Sequence, residues 1–354
     1  MKQEIIDKIN RLANQDEPFL FVINYQGDKA FIRQLSDINP EECLFDFEGR
    51  GNSSDEMKNN SEKIAEISWQ IAPPLYEDYE RSFDIVKNNI MAGNSYLTNL
   101  TCKVPVSCNL SLEDIFHRAK GKYKLLLRRK RNLTPFVCFS PETFVRIKNG
   151  RIYSYPMKGT LDASLPDAEK QLMEDRKEAA EHATIVDLIR NDLSRVAENV
   201  MVDKYRYIDV LHTNKGDILQ TSSEISGRLP EDYQEHLGEI LDAQLPAGSI
   251  TGAPKDKTMQ IIHEAEGYDR GFYTGIMGIY DQGELNSAVM IRFIEEETSP
   301  VDFEADGKKN FKASEGMGDE ASRELYFKAG GGITSKSDCR KEYEEVIQKI
   351  YLPF

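Results

Sequence analysis

Two pairs of glutamates occur at a spacing that suits metal binding. Glu178 and Glu181 are three residues apart in a segment with helical periodicity, and Glu342 and Glu345 repeat that spacing near the end of the chain. Residues three apart share one face of a helix, so two such helices facing each other would form a cradle of carboxylates. Carboxylate oxygens are ligands that Mg²⁺ prefers. Taken alone, each pair is more often a solvated helix face.

Two cations are associated with sequence that is typical of strands. Lys158 follows the strand-like stretch Arg151–Tyr155 and is bounded by proline and glycine. A desolvated lysine can act as a neutral nucleophile, although a lysine at a strand end is usually on the surface. Arg292 lies within the predicted strand Ala288–Ile294, where a buried charge needs a partner such as a ligand carboxylate.

Two glycine-bearing segments could present backbone N–H groups to an anion. One is Gly248–Lys255, directly before a predicted helix, and the other is Ala329–Ile333, after a predicted strand. A helix N-terminus would favour an anion at the first segment. Neither segment matches a P-loop or a dinucleotide fingerprint. Tight turns that need positive φ are the structural alternative for both.

The elements that must position these residues can be predicted from periodicity. Helices are predicted at Glu4–Leu12, Tyr79–Met91, Leu165–Ala197, Pro230–Leu241, Lys255–Glu266 and Arg340–Tyr351. Strands are predicted at Phe19–Asn24, Tyr96–Val106, Tyr123–Leu127, Phe136–Phe139, Phe144–Lys148, Arg151–Tyr155, Gly275–Tyr280, Ala288–Ile294 and Leu325–Ala329. Strand runs separated by helix runs indicate an α+β layered fold. We expect a peripheral N-terminal portion, residues 1–75, packed on a catalytic domain at 76–354, with the polar segment 295–324 forming a solvated insertion.

Composition excludes several classes of function. The formal net charge of the 354-residue chain is −15, which opposes binding to nucleic acid. The five cysteines form no C-x-x-C pair and are expected to be reduced thiols, which favours a cytoplasmic protein. No run of about 18 apolar residues occurs, so we expect no membrane partner.

Ordered blocks of sequence, spread over residues 75–354, resemble the chorismate-utilising enzymes. This family comprises the aminodeoxychorismate, anthranilate, isochorismate and salicylate synthases. The blocks are Gly93–Thr101, Ser140–Glu142, Pro156–Thr160, Glu181–His182, Val186–Leu193, Gly248–Lys255, Gly271–Gly275, Arg292, Ala329–Ile333 and Glu342–Lys349. Their number and order reverse the structural interpretations that are favoured for each feature alone.

The resemblance implies two large antiparallel sheets packed face to face, with helices outside and the site between the sheets. It implies that Glu181 and Glu345 bind Mg²⁺, with Glu178 and Glu342 in or beside its water shell. It also implies a substrate pocket that binds the enolpyruvyl carboxylate of chorismate. The residues of that pocket are Thr160, Ser249, Thr251, Tyr273, Arg292, the amides of Gly330, Gly331 and Gly332, and Lys349.

Lys158 indicates which branch of the family the chain resembles. Lysine in this context is typical of aminodeoxychorismate synthases, whereas the other branches typically carry alanine. The resemblance implies that the lysine attacks C2 of chorismate while Glu142 protonates the departing C4 hydroxyl, and that ammonia then adds at C4 and expels the lysine. The attack requires a depressed lysine pKa, which the cleft could provide although the carboxylates complicate the sign. Leu97 replaces the lysine that activates water in isochorismate and salicylate synthases.

The product implied is 4-amino-4-deoxychorismate, on the route to 4-aminobenzoate and folate. The chain contains no Gly-x-Cys-x-Gly nucleophile elbow, so a separate glutamine amidotransferase subunit is expected to supply ammonia as a heterodimer partner. The alternative is anthranilate synthase component I, against which the Lys158 context and the short N-terminal portion argue.

Overall fold

Strands dominate the part of the chain that the computed structural model describes, residues 1–53, 66–128, 133–213, 216–298 and 323–354. The helices there are α1 (Gln3–Asn14), α2 (Tyr76–Met91), α3 (Leu112–Arg118), α4 (Ala168–Glu174), α5 (Arg176–Leu193), α6 (Leu237–Gln244), α7 (Gly248–Thr251), α8 (Lys255–Glu266) and α9 (Cys339–Gln348). No helix in these ranges is long and apolar enough to cross a membrane.

The strands form two antiparallel sheets of nine strands each. The first contains β1 (Phe19–Ile23), β2 (Ala30–Gln34), β9 (Thr143–Lys148), β10 (Arg151–Ser154), β11 (Met157–Asp162), β12 (Glu198–Thr213), β13 (Gly216–Arg228), β15 (Ile276–Asp281) and β16 (Glu284–Val289). The second contains β3 (Cys43–Phe47), β4 (Arg50–Gly51), β5 (Trp69–Ile71), β6 (Leu97–Cys108), β7 (Tyr123–Leu127), β8 (Phe136–Ser140), β14 (Gly252–Ala253), β17 (Phe293–Thr298) and β18 (Arg323–Ile333).

The order in the first sheet is β11-β13-β10-β9-β16-β15-β1-β2, with β12 on the other edge of β13. The order in the second sheet is β14-β6-β18-β17-β8-β7-β3-β4, and β5 pairs with β6.

Three apolar layers hold the sheets and helices together. Alternate side chains of a strand point to opposite faces, so Leu20 and Val22 pack between the sheets while Phe19 and Phe21 pack outward. The outward layer of the first sheet is covered by α1, α5 and α6. The corresponding layer of the second sheet is covered by α2, α3, α8 and α9. The predicted α+β fold, two antiparallel sheets face to face with helices outside, is confirmed.

The N-terminal strands are not peripheral. Every residue of β1 is buried, because β1 lies between β15 and β2 in the first sheet with both faces covered. The strand β3 belongs to the second sheet. The first 47 residues therefore contribute to both sheets, and the boundary at residue 75 remains a prediction.

Several predictions of secondary structure differ from the structure. The predicted helix 165–197 is two helices, because the Asp175 side chain accepts hydrogen bonds from the N–H groups of Lys177 and Glu178 and begins α5 anew. The predicted helix 230–241 begins only at Leu237. The hairpin of β12 and β13 was not predicted. Of the expected insertion 295–324, β17 and β18 take the ends, and residues 299–322 lie outside the described ranges.

Candidate active site

Two adjacent links between the sheets place an acid beside a guanidinium. The chain passes from β8 to β9 at Glu142, and from β16 to β17 at Arg292. The Phe139 N–H donates to the Arg292 carbonyl at 3.1 Å, and the Val289 N–H donates to the Glu142 carbonyl at 3.2 Å. These bonds join residues that are 153 and 147 positions apart in sequence.

The prediction that Arg292 lies within a strand is wrong. Residues 284–289 and 293–298 are separate strands of different sheets, and Arg292 has φ 55° in the link between them. The apolar run 288–294 is continuous because both strand ends and the link are buried or half-buried, so periodicity alone did not reveal the break. The guanidinium carbon lies 5.4 Å from the centre of the Tyr351 ring.

Glu142 has the environment of a carboxyl group that can hold a proton. Ser249, in the short helix α7, donates a hydrogen bond to Glu142 Oε1 at 2.6 Å. Burial raises the pKa of Glu142 above its usual range, and the Ser249 hydrogen bond and the charges of Arg292 and Lys349 only partly oppose that rise. The carboxyl group can therefore donate a proton at a higher pH than an exposed glutamate could.

Lys158 follows the strand β10, as predicted, but it also lies within a further strand, β11, which was not predicted. Its Nζ is 3.0 Å from Glu181 Oε2, and Lys177 Nζ is 3.7 Å from the other oxygen of the same carboxylate. Burial lowers the pKa of Lys158, but the charges of Glu181, Glu178 and Glu345 outweigh it and leave the pKa raised. Desolvation alone therefore does not give the depressed pKa that the sequence interpretation required.

A bulge brings β11 close to α5. The register of β11 against β13 shifts between Lys158 and Thr160, where Gly159 has φ 78°. A Cβ at Gly159 would lie 2.9 Å from Glu178 Oε2, so glycine permits both the backbone conformation and the close approach of the helix. Thr160 is exposed and pairs with Gln220.

His182 fixes the helix that carries Glu181 against the first sheet. The side chain is fully buried, and Nε2 lies 2.6 Å from the Ser223 hydroxyl in β13. Burial, followed by the charge of Arg206, lowers the pKa of His182 to about 4, so the ring is neutral at neutral pH. A neutral, hydrogen-bonded histidine at this place holds α5 at a defined rotation.

The four glutamates predicted to bind the metal lie close to lysines, which pair with two of them. Burial and then Glu181 raise the pKa of Glu178, and burial raises that of Glu342, with Glu345 adding to the rise. Glu345 pairs with Lys349 at 2.8 Å. The oxygen donor set suits Mg²⁺. Within the described ranges no group of three or more His, Cys, Asp or Glu residues is arranged to hold a metal ion. The donor chemistry fits the metal, whereas a preformed ligand shell is not present.

The sequence interpretation placed the triple glycine in a turn after a strand. In the structure the three glycines lie inside the strand β18. In antiparallel pairs, backbone groups point alternately toward and away from the neighbour. The Thr101 N–H donates to Glu266 and the Asn99 carbonyl accepts from Arg270, so neither is directed at β18. Gly330 and Gly332, which pair with these residues, therefore direct their N–H groups to the opposite edge.

That opposite edge faces the candidate site. The neighbouring strand β17 pairs with β18 only as far as Lys328, so no described strand covers the edge at the glycines. Lys349 Nζ donates to the Gly330 carbonyl at 3.0 Å. The glycine N–H groups, Lys349 and Arg292 at the start of β17 thus lie near one another, an arrangement that can bind an anion.

Two further residues of the predicted pocket are buried. Tyr273 is 3% exposed, and burial raises its pKa, so the phenol is a neutral hydrogen-bond donor. Thr251 is fully buried, and its hydroxyl lies beside the buried phenol of Tyr25.

Alanine should affect the stability of the fold differently at two adjacent glycines. A Cβ at Gly330 would lie 2.5 Å from Thr101 Cγ2 and 2.6 Å from the Leu100 carbonyl oxygen, whereas at Gly331 the nearest atoms are 3.6 Å away or more. We expect Gly330→Ala to lower the free energy of unfolding by about 1–3 kcal/mol. Gly331→Ala should change it by less than about 0.5 kcal/mol. Urea unfolding measures both, and equal losses would contradict the placement of these residues.

Comparison with known proteins gives matches along almost the whole chain. The family described as chorismate binding enzyme matches residues 13–307. A Haemophilus influenzae protein named "Uncharacterized PabA-like protein" is 46% identical over 99% of this chain and 97% of its own length. Aminodeoxychorismate synthase component 1 of Salmonella typhimurium is 30% identical, over 77% of this chain and 56% of its own length. Anthranilate synthase component 1 of Aquifex aeolicus is 34% identical, over 59% and 38%.

The solved structures give the same fold. A crystal structure described as a putative 2,3-dihydroxybenzoate-specific isochorismate synthase from Bacillus anthracis superposes with a TM-score of 0.68. The superposition covers 98% of this chain and 86% of the other, at 18% identity.

Proposed function

Because the chain belongs to the family of chorismate binding enzymes, we propose that it is an aminodeoxychorismate synthase component I. It would convert chorismate and ammonia to 4-amino-4-deoxychorismate and water, on the route to 4-aminobenzoate and folate. The observation that carries this proposal is the placement of Lys158, whose amine reaches a site carboxylate, Glu181, at 3.0 Å. A family member that uses only a water or ammonia nucleophile needs no amine at that place.

The residues divide the chemistry between nucleophile, acid and carboxylate clamp. The Lys158 amine would attack C2 of the ring as both conjugated ring double bonds shift by one position and the C4 hydroxyl leaves. Glu142 would give its proton to that hydroxyl, which departs as water. Ammonia would then add at C4, both double bonds would return to their original positions, and the lysine would leave from C2. The proton that the lysine loses on attack returns to it as it leaves, and the proton that ammonia loses restores the one that Glu142 gave.

The clamp would orient the substrate. The enolpyruvyl carboxylate would lie against the Gly330 and Gly332 amides, with the Arg292 guanidinium and the Tyr273 hydroxyl as further donors. Such oriented donors lower the entropic cost of reaching the reactive geometry. Leu97 lies beside the clamp, since a Cβ at Gly332 would be 3.2 Å from Leu97 Cδ1. A leucine cannot activate water, so this residue supports an amine, and not water, as the nucleophile.

Glu181 and Glu345 would hold Mg²⁺, with Glu178 and Glu342 hydrogen-bonded to its waters. The bound ion would supply positive charge for the ring carboxylate of chorismate and would neutralise glutamates that otherwise pair with Lys158. This chain's own contribution is to supply four carboxylates on two helices, α5 and α9, at the edge of the clamp.

A separate glutamine amidotransferase would supply the ammonia. The proposal rests on the likeness to component 1 proteins of aminodeoxychorismate and anthranilate synthases, whose names imply a second component. Anthranilate synthase component I is the competing assignment, and the similarity to the Aquifex aeolicus protein favours it. The position of Lys158 argues for the amine-transferring reaction.

Product identity tests the function directly. The purified chain should convert chorismate to 4-amino-4-deoxychorismate with ammonium and Mg²⁺, without release of pyruvate, and a chelator should stop the reaction. Mass spectrometry of the products and a coupled pyruvate assay measure this. Glutamine should replace ammonium only when an amidotransferase is added. Anthranilate with stoichiometric pyruvate would refute the assignment, as would isochorismate.

A further inference from the structure

A buried guanidinium joins the segments that carry the substrate clamp. Arg270 lies four residues after the end of α8 and is 2% exposed. Its Nε and Nη2 donate to the two oxygens of Glu266 at 2.8 and 2.6 Å. Its Nη2 also donates to the Asn99 carbonyl at 2.7 Å, and Nη1 donates to the Ile250 carbonyl at 3.0 Å and to the Thr274 hydroxyl at 3.3 Å.

Each acceptor belongs to a different part of the candidate site. Ile250 stands between Ser249 and Thr251, so its carbonyl fixes α7, from which Ser249 reaches Glu142. Thr274 directly follows Tyr273. Asn99 is the register partner of Gly332.

Glu266 connects the same hydrogen-bond network to β18, the glycine strand, which contains Gly330, Gly331 and Gly332. Its Oε1 accepts from both the N–H and the hydroxyl of Thr101, each at 2.8 Å. Thr101 is the register partner of Gly330. The Glu266 side chain is 1% exposed, so water does not compete for these bonds.

The pair's main effect is geometric. A buried ion pair is weak support for stability, because desolvation offsets the attraction, and apolar residues of similar volume often stabilise as well. A planar guanidinium with five fixed donors, however, holds its acceptors at set distances, which apolar packing and lysine cannot do. Among the described residues, no other charged side chain forms hydrogen bonds with all three of the segments that contain Asn99, Ile250 and Thr274.

We propose that Arg270 and Glu266 are positioning residues, which hold the Ser249 segment, the Tyr273 turn and the glycine strand at the spacing that the carboxylate clamp requires. They touch no reacting atom. The geometric part stands on the structure alone, and the identity of the ligand rests on the proposed function.

The test compares Arg270→Lys with Arg146→Lys. Arg146 also bonds to a glutamate, Glu48, at 2.6 Å and to a tyrosine hydroxyl, but it lies away from the clamp. Amide hydrogen exchange by mass spectrometry should rise about tenfold or more in residues 97–101, 248–254 and 271–275 of Arg270→Lys, relative to the rest of the chain. Arg146→Lys should leave these three segments at the native rate.

Kinetics give a readout that loss of stability alone would not move. With chorismate, Mg²⁺ and ammonium below the melting temperature, Arg270→Lys should lose about 100-fold in kcat/KM, with both a higher KM for chorismate and a lower kcat. Arg146→Lys should keep native values of both. Glu266→Gln, which retains the shape of the side chain, should show the same pattern as Arg270→Lys, and it serves if that variant does not fold.

The outcomes separate the two ideas. Unchanged exchange in the three segments, or a lower melting temperature with native KM and kcat, would overturn the positioning role. A native chain that neither binds nor converts chorismate would instead refute the proposed function. In that case the exchange comparison still decides whether Arg270 and Glu266 fix these segments.

Discussion

Lys158→Ala should lower C4 amination of chorismate by about 1000-fold or more, because loss of a covalent nucleophile typically costs several orders of magnitude. The variant should still bind chorismate, since the clamp residues lie on other elements. It should also fold normally, because β11 is an edge strand and the lysine side chain is 36% exposed. Steady-state rates with identification of products by mass spectrometry measure the effect.

Lys177→Ala is the matched control for this prediction. Lys177 pairs with the same carboxylate, Glu181, at 3.7 Å, but its side chain is 61% exposed. An exposed pair of this kind contributes little, so its rates should stay within about threefold of native. Native amination by Lys158→Ala would show that ammonia attacks directly and that no lysine adduct forms. Equal losses in both variants would show that the amine acts only through charge on Glu181.

Glu142→Gln should lower kcat by about 100- to 10,000-fold, since glutamine keeps the shape of the side chain but cannot give a proton. The KM for chorismate should change little. The native rate should fall as pH rises through the pKa of Glu142, because the protonated form is the active one. Burial raises that pKa, so the fall should begin at a higher pH than for an ordinary glutamate, and it should vanish in Glu142→Gln.

Ser249→Ala tests the direction in which the pKa of Glu142 shifts. The Ser249 hydrogen bond lowers the pKa of Glu142, so its removal should raise that pKa and move the alkaline fall to higher pH. Ser287→Ala, which removes a buried hydroxyl bonded to the Val145 carbonyl, should leave the profile in place. Rates must be compared at equal free ammonia, because its concentration also changes with pH. A profile that moves to lower pH in Ser249→Ala would exclude Glu142 as the acid.

The elements whose bounds were predicted correctly are those in which the hydrophobic periodicity is regular from end to end. The bounds of α8 and of β7 agree with the predictions at both ends. The hairpin of β12 and β13 was missed because β12, at the sheet edge, contains bulges, with positive φ at Asn199 and Arg206, that break the alternation of apolar and polar residues. Each bulge adds one residue to the strand, so the two-residue period that marks a strand in the sequence is lost.

For the candidate site, the sequence indicated the residue types but not their pairing. The charges around Lys158 set its pKa, and they depend on which carboxylates of two distant helices approach it. Arg270 was not predicted at all. Its only signal was Glu266 four residues earlier, a spacing that usually marks an exposed helical pair. Burial of that pair arises from the contact of α8 with β6, which no local pattern encodes.

The placement of β11 has a consequence for how reaction type could diversify on this scaffold. The acid and the guanidinium are built into interlocked links between two sheets, so a change in their spacing would disturb the core. Lys158, in contrast, lies on β11, which pairs only with β13 among the described strands, and a bulge already accommodates its local geometry. Exchange of the reactive group there would leave the core packing intact. Positions 142 and 292 are thus fixed by the core, whereas position 158 lies where a substitution would disturb the fold least.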